Sequence, residues 1–311
     1  MSLVLLTKPP KLNFYSVEKT KVFVNDILGR LRGPKAVTAS MLRGLGELGV
    51  DFKFNPLERE IKENDVILVN ESVNALKWAI QAKAQMKIGK LLAGPNISIL
   101  PSDNAGIICA KEIDIVLEPS QWVKDFLIYF KPELENKICV WPAGVMVPSN
   151  ENEKIRNFVL LYNKNPSEKD LLDFIKKYLH NNKINFNLIN YGSFNQAKYF
   201  DWLSQSKMMI YLSNSESQGL SLQEAWVRDV PTLIWNRGYM EYNGNIWKDE
   251  KISAPYQTEK TGDFFNGKED FVSAFMILER NLEKFSPKDY VINNLTDKIC
   301  ASKLLDIVNN I

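Results

Sequence analysis

Apolar stretches of strand length alternate along the chain with segments in which apolar residues recur every three or four positions. The former pattern is typical of buried strands and the latter of amphipathic helices. In the first half the predicted strands are Ser2–Thr7, Val22–Val24, Val50–Phe54, Asp65–Val69, Lys90–Ala93, Ile113–Leu117 and Ile138–Trp141, and the predicted helices are Lys35–Leu48, Ala75–Met86 and Ser120–Phe130. This alternation predicts a parallel sheet covered by helices on both faces.

Residues 142–156, rich in Pro, Gly, Asn and charge, interrupt the pattern as an interdomain connection does. The second series predicts strands at Asn157–Tyr162, Phe186–Asn190, Met208–Leu212 and Thr232–Trp235, and helices at Ser167–Leu179, Gln196–Leu203 and Ser221–Arg228. After Trp235 the chain is loop-rich until helical periodicity returns at 271–285 and 296–308. The fold class predicted is α/β, with two Rossmann-like domains whose parallel sheets face a central cleft. The expected domains are residues 1–145 and 155–285, and residues 286–311 form a helix expected to return to the first domain.

The charge composition of the chain limits which classes of binding partner are expected. With 39 basic and 37 acidic residues among 311, the chain lacks the charge of a dedicated nucleic-acid binder. Residues 1–50 hold eight basic residues and three acidic ones, which predicts either a solvated surface or contact with an anionic ligand or the inner face of a membrane. Three widely spaced cysteines, and no apolar run long enough to span a bilayer, indicate a cytoplasmic protein.

The segment from Ser213 to Pro231 carries the most specific pattern. A buried strand ends, Glu216 follows in a loop, and Gly219 permits close backbone approach. Ser221 is predicted to cap a helix that carries Glu224 one turn in. The backbone N–H groups of Gly219, Leu220 and Ser221 at such a helix start suit phosphates, and Glu224 suits sugar hydroxyls.

Glu216 and Glu224, with Gly219-Leu220 between them and Val230-Pro231 after them, resemble the donor-site signature of retaining, GT-B-fold glycosyltransferases of the glycosyltransferase 4 type. The resemblance implies that Glu224 binds the nucleotide ribose, that Glu216 lies near the donor sugar, and that backbone amides from Gly219 to Ser221 hold the diphosphate. The alternative is a capped helix with two incidental carboxylates.

The same resemblance implies a basic group after the first strand of the second domain, and here Lys164 is the candidate. The alternative for Lys164 is an ordinary exposed lysine. In the first domain, Gly33, followed by Pro34, falls where the family places a glycine-containing loop facing the donor phosphates. Gly33-Pro34 is equally typical of a helix start with proline in the first turn.

A glycine-rich stretch and the single histidine do not indicate a further binding or catalytic site. Residues 44–49 match the dinucleotide fingerprint Gly-x-Gly-x-x-Gly, but they close a predicted helix and precede a strand, which is the reverse of the order that a dinucleotide site requires. Gly49 is therefore predicted to end that helix. His180, the single histidine, is predicted at a helix end, so a catalytic triad or a multi-histidine metal site is disfavoured.

The function predicted is that of a retaining hexosyltransferase, with Glu216 and Lys164 as catalytic residues, no cofactor and no metal. Its partners are a nucleotide-diphosphate sugar donor and a saccharide or glycolipid acceptor, with no nucleic acid. A nucleotide-sugar epimerase on the same fold and a non-catalytic nucleotide-sugar-binding module are the alternatives.

Overall fold

The computed structural model describes residues 2–11, 33–149, 155–165, 168–193 and 195–311. The chain divides into two compact units. Unit 1 contains Met1–Gly144 and Asp297–Ile311, and unit 2 contains Val145–Thr296. The predicted strand Val22–Val24 and most of the basic residues before Gly33 lie outside the described residues.

Unit 1 is built on a parallel sheet of apolar strands. Its strands are β1 (Leu3–Leu6), β2 (Phe52–Phe54), β3 (Val66–Val69), β4 (Lys90–Ala93), β5 (Ile115–Glu118) and β6 (Ile138–Val140). Within the described residues they lie in the order β2-β1-β3-β4-β5-β6, and every neighbouring pair is parallel. All four residues of β1 and of β3 are buried, as expected for strands covered on both faces.

The helices of unit 1 are α1 (Pro34–Glu47), α2 (Val73–Ala84), α3 (Gln121–Phe130) and α9 (Asp297–Asn309), with shorter turns at Glu58–Glu60, Asp103–Gly106, Ile107–Cys109 and Pro132–Lys137. Pro34 occupies the first turn of α1, where its missing N–H costs nothing. The chain leaves α1 through Gly49 at φ +68°, a left-handed conformation that favours glycine. The glycine-rich stretch therefore ends a helix, as predicted.

The last helix, α9, packs on α1 within unit 1. A Cβ at Gly44 would lie 2.2 Å from the Asp297 carbonyl oxygen, so only glycine permits this approach. Arg43 Nε donates to the Asp297 carboxylate at 2.6 Å beside it. Trp141 Nε1 donates to the Cys300 carbonyl at 2.8 Å.

Unit 2 has a second parallel sheet. Its strands are β7 (Phe158–Asn163), β8 (Phe186–Asn190), β9 (Ser206–Leu212), β10 (Thr232–Trp235) and β13 (Gly262–Phe265), in the order β13-β10-β9-β7-β8. The helices are α4 (Lys169–Asn181), α5 (Gln196–Ser204), α6 (Leu220–Trp226), α7 (Lys268–Arg280) and α8 (Pro287–Asn294), with a short turn at Leu282–Lys284. His180 lies in the last turn of α4, as predicted.

The stretch after Trp235, predicted to be loop-rich, contains further strands. An antiparallel hairpin is formed by β11 (Tyr239–Tyr242) and β12 (Asn245–Lys248), and β13 extends the parallel sheet beside β10. A Cβ at Gly262 would lie 1.9 Å from the Thr232 carbonyl oxygen, which explains the glycine at the start of β13. Strands of only four residues, two of which begin with Asn or Gly-Asp, leave too little apolar pattern to be detected in the sequence.

Two α/β units with parallel sheets confirm the predicted fold class. In the part of the chain that the structure describes, no helix is both long enough and apolar enough to cross a membrane.

Candidate functional site

Polar side chains of unit 2 gather where β7 and β9 end. The two strands are parallel neighbours, so the residues that follow them lie at the same edge of the sheet. The backbone N–H of Lys164 donates to the carbonyl of Leu212, the last residue of β9, at 2.7 Å. Glu216 enters the same edge from the loop after β9, and its backbone N–H donates to the Ile252 carbonyl at 2.8 Å.

Lys164 and Glu216 form an ion pair there. The Lys164 ammonium lies 2.7 Å from Glu216 Oε1 and 2.9 Å from Oε2. The Glu216 side chain is only 7% exposed and that of Lys164 is 30% exposed, so the carboxylate is buried against a cation that reaches solvent. The ammonium also lies 5.2 Å from the ring centroid of Tyr191, within the range of a cation–π contact. Lys164 is thus not an ordinary exposed lysine.

Two buried hydroxyls also bind Glu216, and neither was predicted from the sequence. The Tyr211 hydroxyl donates to Glu216 Oε1 at 2.7 Å, and Ser213 Oγ donates to the same oxygen at 2.8 Å. Together with the Lys164 ammonium, these hydrogen bonds fix the orientation of the Glu216 carboxylate. The signal was present in the sequence, because Ser213 directly follows the last residue of β9 and lies two positions after Tyr211, the spacing at which side chains of an extended chain point to the same side.

Ser221 is held by two further buried tyrosines. The Tyr199 hydroxyl donates to the Ser221 carbonyl oxygen at 2.6 Å, and the Tyr162 hydroxyl lies 3.5 Å from Ser221 Oγ. Tyr162 stacks on Tyr211 with ring centroids 5.1 Å apart, and its ring meets that of Tyr199 edge-on at 5.4 Å. We call Tyr162, Tyr199 and Tyr211 the tyrosine layer. The loop and helix between Glu216 and Ser221 are thus tied to the sheet at both ends.

The helix α6 begins differently from the prediction. Gly219 precedes it at φ +83°, and the N–H groups of Leu222 and Gln223 both donate to the Gly219 carbonyl. The prediction that Ser221 caps the helix is wrong, because the chain turns at Gly219 and Ser221 already lies in the first turn. Leu220 is the first helical residue. The left-handed backbone at Gly219 explains why glycine is required.

Glu224 lies on α6, half-buried. Its Oε1 accepts from Gln196 Nε2 at 3.2 Å, which joins α6 to the start of α5. The Glu224 carbonyl accepts from Arg228 Nη1 at 3.0 Å. The structure therefore places both glutamates of the motif in unit 2, Glu216 in the loop and Glu224 on the helix.

Gly33 belongs to the other unit. It precedes α1 at φ +54° with Pro34 in the first helical turn, so the helix-start interpretation of Gly33-Pro34 is confirmed. The neighbouring Arg32 lies outside the described residues. Among the residues that the structure describes, no group of three or more His, Cys, Asp or Glu side chains is arranged to hold a metal ion.

Comparison with known proteins gives likeness in fold alone. No family model matches the sequence. No curated protein matches it either. Among solved structures, the chain is similar to the lipopolysaccharide outer core galactosyltransferase WaaB in its apo form, with a TM-score of 0.56 and 12% identity over 100% of this chain and 99% of that one.

Two further solved structures are similar to most of the chain. The pneumococcal O-GlcNAc transferase GtfA in complex with UDP and GlcNAc has a TM-score of 0.52 and 12% identity over 81% of this chain. A Listeria monocytogenes protein assigned as a UDP-N-acetylglucosamine 2-epimerase has a TM-score of 0.53 and 12% identity over 99% of this chain and 95% of that one. This chain spans only 58% of the GtfA chain and 60% of the chain matched in a GtfA/B complex.

The structural neighbours include glycosyltransferases and an assigned epimerase. Together with the parallel sheets of the two units, these likenesses show that the chain has an α/β fold of the GT-B class, built from two Rossmann-like units.

Proposed function

We propose that the protein is a glycosyltransferase that moves a sugar from a nucleotide-diphosphate sugar to a saccharide or glycolipid acceptor. The finer proposal is a retaining enzyme of the glycosyltransferase 4 type. The observation that carries the proposal is the Lys164–Glu216 ion pair at the carboxyl ends of β7 and β9, next to the helix that bears Glu224. Ligands of open α/β sheets bind at this edge.

The roles follow from the motif positions and the charges. Glu224 accepts hydrogen bonds from the ribose, and Glu216 contacts the donor sugar. The backbone N–H groups of Gly219, Leu220 and Ser221 receive the diphosphate, since Gly219 turns the backbone there.

The chemistry requires stabilisation of the departing diphosphate. Negative charge grows on the leaving phosphate as the glycosidic bond breaks, and a fixed cation and backbone donors stabilise that charge more than they stabilise the ground state. Lys164 supplies the cation while Glu216 holds its position. The acceptor hydroxyl loses its proton to the departing diphosphate, and a nearby main-chain oxygen assists by accepting a hydrogen bond from that hydroxyl. No cofactor takes part in this scheme.

A nucleotide-sugar epimerase is the second candidate, favoured by the likeness to the assigned epimerase over nearly the whole of both chains. The two functions differ in their products. A transferase releases a nucleoside diphosphate and forms a glycoside, whereas an epimerase of nucleotide sugars need not consume an acceptor. A cytoplasmic location and contact of the first 50 residues with a membrane stay predictions from the sequence.

The test is a panel of UDP-, GDP- and ADP-sugars, each incubated with the protein in the presence and absence of mono- and oligosaccharide acceptors. We expect one donor to give a nucleoside diphosphate together with a glycoside. In proton NMR the anomeric coupling constant of the new glycoside should match that of the donor, as retention requires. Heat-denatured protein serves as the inactive reference, and Glu216→Gln should turn over the donor slowly but measurably. An epimerised sugar without a glycoside product would favour the second candidate, and binding without turnover would favour a non-catalytic module.

A further inference from the structure

The tyrosine layer lies directly beneath the motif and has no role in the scheme above. Its members come from three separate elements: Tyr162 from β7, Tyr199 from α5 and Tyr211 from β9. All three side chains are at most 1% exposed. In the sequence each fits the pattern of an ordinary core residue.

A purely structural core position would accept phenylalanine, because ring packing does not need the hydroxyl. Burying a hydroxyl without a partner is unfavourable, so a buried tyrosine is stabilised only where its hydroxyl finds an acceptor. Two of these hydroxyls find acceptors on the motif itself. Tyr211 donates to the Glu216 carboxylate and Tyr199 donates to the Ser221 carbonyl.

The direction of these hydrogen bonds is fixed by charge. Burial, with the nearby Glu216 carboxylate, raises the pKa of Tyr211 well above its usual value. Burial, with the nearby Glu224 carboxylate, raises the pKa of Tyr199 in the same way. Both phenols therefore stay protonated at neutral pH. Carbonyl and ionised carboxylate oxygens only accept hydrogen bonds, so each tyrosine acts as a permanent donor to the motif.

We propose that the tyrosine layer positions the donor site, an inference that rests on the proposed function. Tyr211 fixes the orientation of the Glu216 carboxylate, and with it the ammonium of Lys164. Tyr199 fixes the Ser221 carbonyl and thereby the first turn of α6. Tyr162 joins the two by its ring contacts, so that the two ends of the motif keep their spacing. These are positioning residues, because they act through Glu216 and Ser221.

Removing the hydroxyl of Tyr211 and removing that of Tyr199 should affect different kinetic quantities. Glu216 lies near the reacting sugar in the proposed site, so Tyr211→Phe should lower kcat about tenfold and leave the donor KM within about twofold. The first turn of α6 receives the diphosphate, so Tyr199→Phe should weaken binding of the nucleoside diphosphate about fivefold. The control is Tyr178→Phe, which removes a half-buried hydroxyl from α4 of the same unit and should change neither quantity.

The experiment measures kcat and KM with the donor that the panel identifies, and the dissociation constant of UDP by calorimetry, with GDP or ADP in its place if the enzyme prefers them. Melting temperatures are recorded for each full-length variant. Should Tyr211→Phe fail to fold, Ser213→Ala removes another donor from the same Glu216 oxygen and should give the same loss in kcat.

The double variant Tyr211→Phe with Glu216→Gln distinguishes positioning of Glu216 by Tyr211 from a general structural effect of losing the hydroxyl. If Tyr211 acts through Glu216, Tyr211→Phe should have no further effect on kcat in the Glu216→Gln background. An equal additional loss in that background, or a kcat for Tyr211→Phe equal to that of Tyr178→Phe, would overturn the inference while leaving the proposed function intact. If the unmodified protein neither binds a nucleoside diphosphate nor turns over a nucleotide sugar, the proposed function and the inference fail together.

Discussion

Replacement of Lys164 by alanine is the most informative single change, because it removes the cation of the buried ion pair. At an effective dielectric constant of about 20, unit charges at the observed 2.7 Å interact by about 6 kcal/mol before desolvation is considered. Breaking a fully buried pair costs about 3–5 kcal/mol. The loss should be smaller here, because Lys164 is 30% exposed and Tyr211 and Ser213 still donate to Glu216.

We therefore expect Lys164→Ala to lower the free energy of unfolding by about 2 kcal/mol, which corresponds to about 3 °C in melting temperature for a chain of 311 residues. The effect on catalysis should be larger. By analogy with the removal of one preorganised electrostatic contact, kcat should fall about 100-fold, with little change in KM.

The assay is steady-state turnover of the nucleotide sugar at a temperature well below the melting point of every variant, so that loss of folding does not contribute. Lys164→Arg keeps the charge and should retain part of the activity. Lys169→Ala, on the exposed start of α4, is the matched control and should be unaffected. Normal turnover by Lys164→Ala, or an equal loss in Lys169→Ala, would refute the assignment of Lys164.

Three further results are expected. Glu224→Ala should weaken nucleotide-sugar binding by about 1.5–3 kcal/mol in calorimetry, the range for hydrogen bonds to a charged group, and unchanged affinity would remove Glu224 from the site. EDTA should leave turnover largely intact, since the sequence contains no Asp-x-Asp and a single histidine; loss of turnover that Mg²⁺ or Mn²⁺ restores would contradict this. Burial raises the pKa of Glu118, at the end of β5, from an ordinary value of 4.5 to about 8. Between these two pH values the folded protein retains a proton that the unfolded chain releases, so the free energy of unfolding should fall as pH rises. Glu118→Gln should therefore gain melting temperature relative to the unmodified protein at about pH 8.5 but not at about pH 5, and a difference independent of pH, as expected for the exposed control Glu135→Gln, would contradict it.

The hydrophobic pattern predicted most strands and helices of the two parallel sheets because buried parallel strands are continuously apolar. It missed β13 and the β11–β12 hairpin, whose strands have only four residues each; β12 begins with Asn and β13 with Gly-Asp, and these strands depend on their neighbours for stability. It also placed the start of α6 at Ser221, since serine is a common cap, whereas the left-handed backbone at Gly219 decides where that helix begins.

For the candidate site, the sequence predicted the residues of the motif but not the contacts between them. Lys164 and Glu216 are 52 residues apart, and only the register of β7 against β9 brings them together. The same register pairs Tyr162 with Tyr211, and periodicity alone assigns both to the core. Strand register depends on the packing of the whole sheet, so these contacts lay beyond what a local sequence pattern specifies.

A crystal structure of the protein with the nucleoside diphosphate that its preferred donor releases would test the proposed donor site most directly. We expect the ribose hydroxyls within hydrogen-bond distance of the Glu224 carboxylate and the diphosphate at the backbone N–H groups of Leu220 and Ser221. The Lys164 ammonium should face the terminal phosphate. A nucleotide bound elsewhere in unit 2 or held by unit 1 alone, with none of these contacts, would show that the motif of unit 2 is not the donor site.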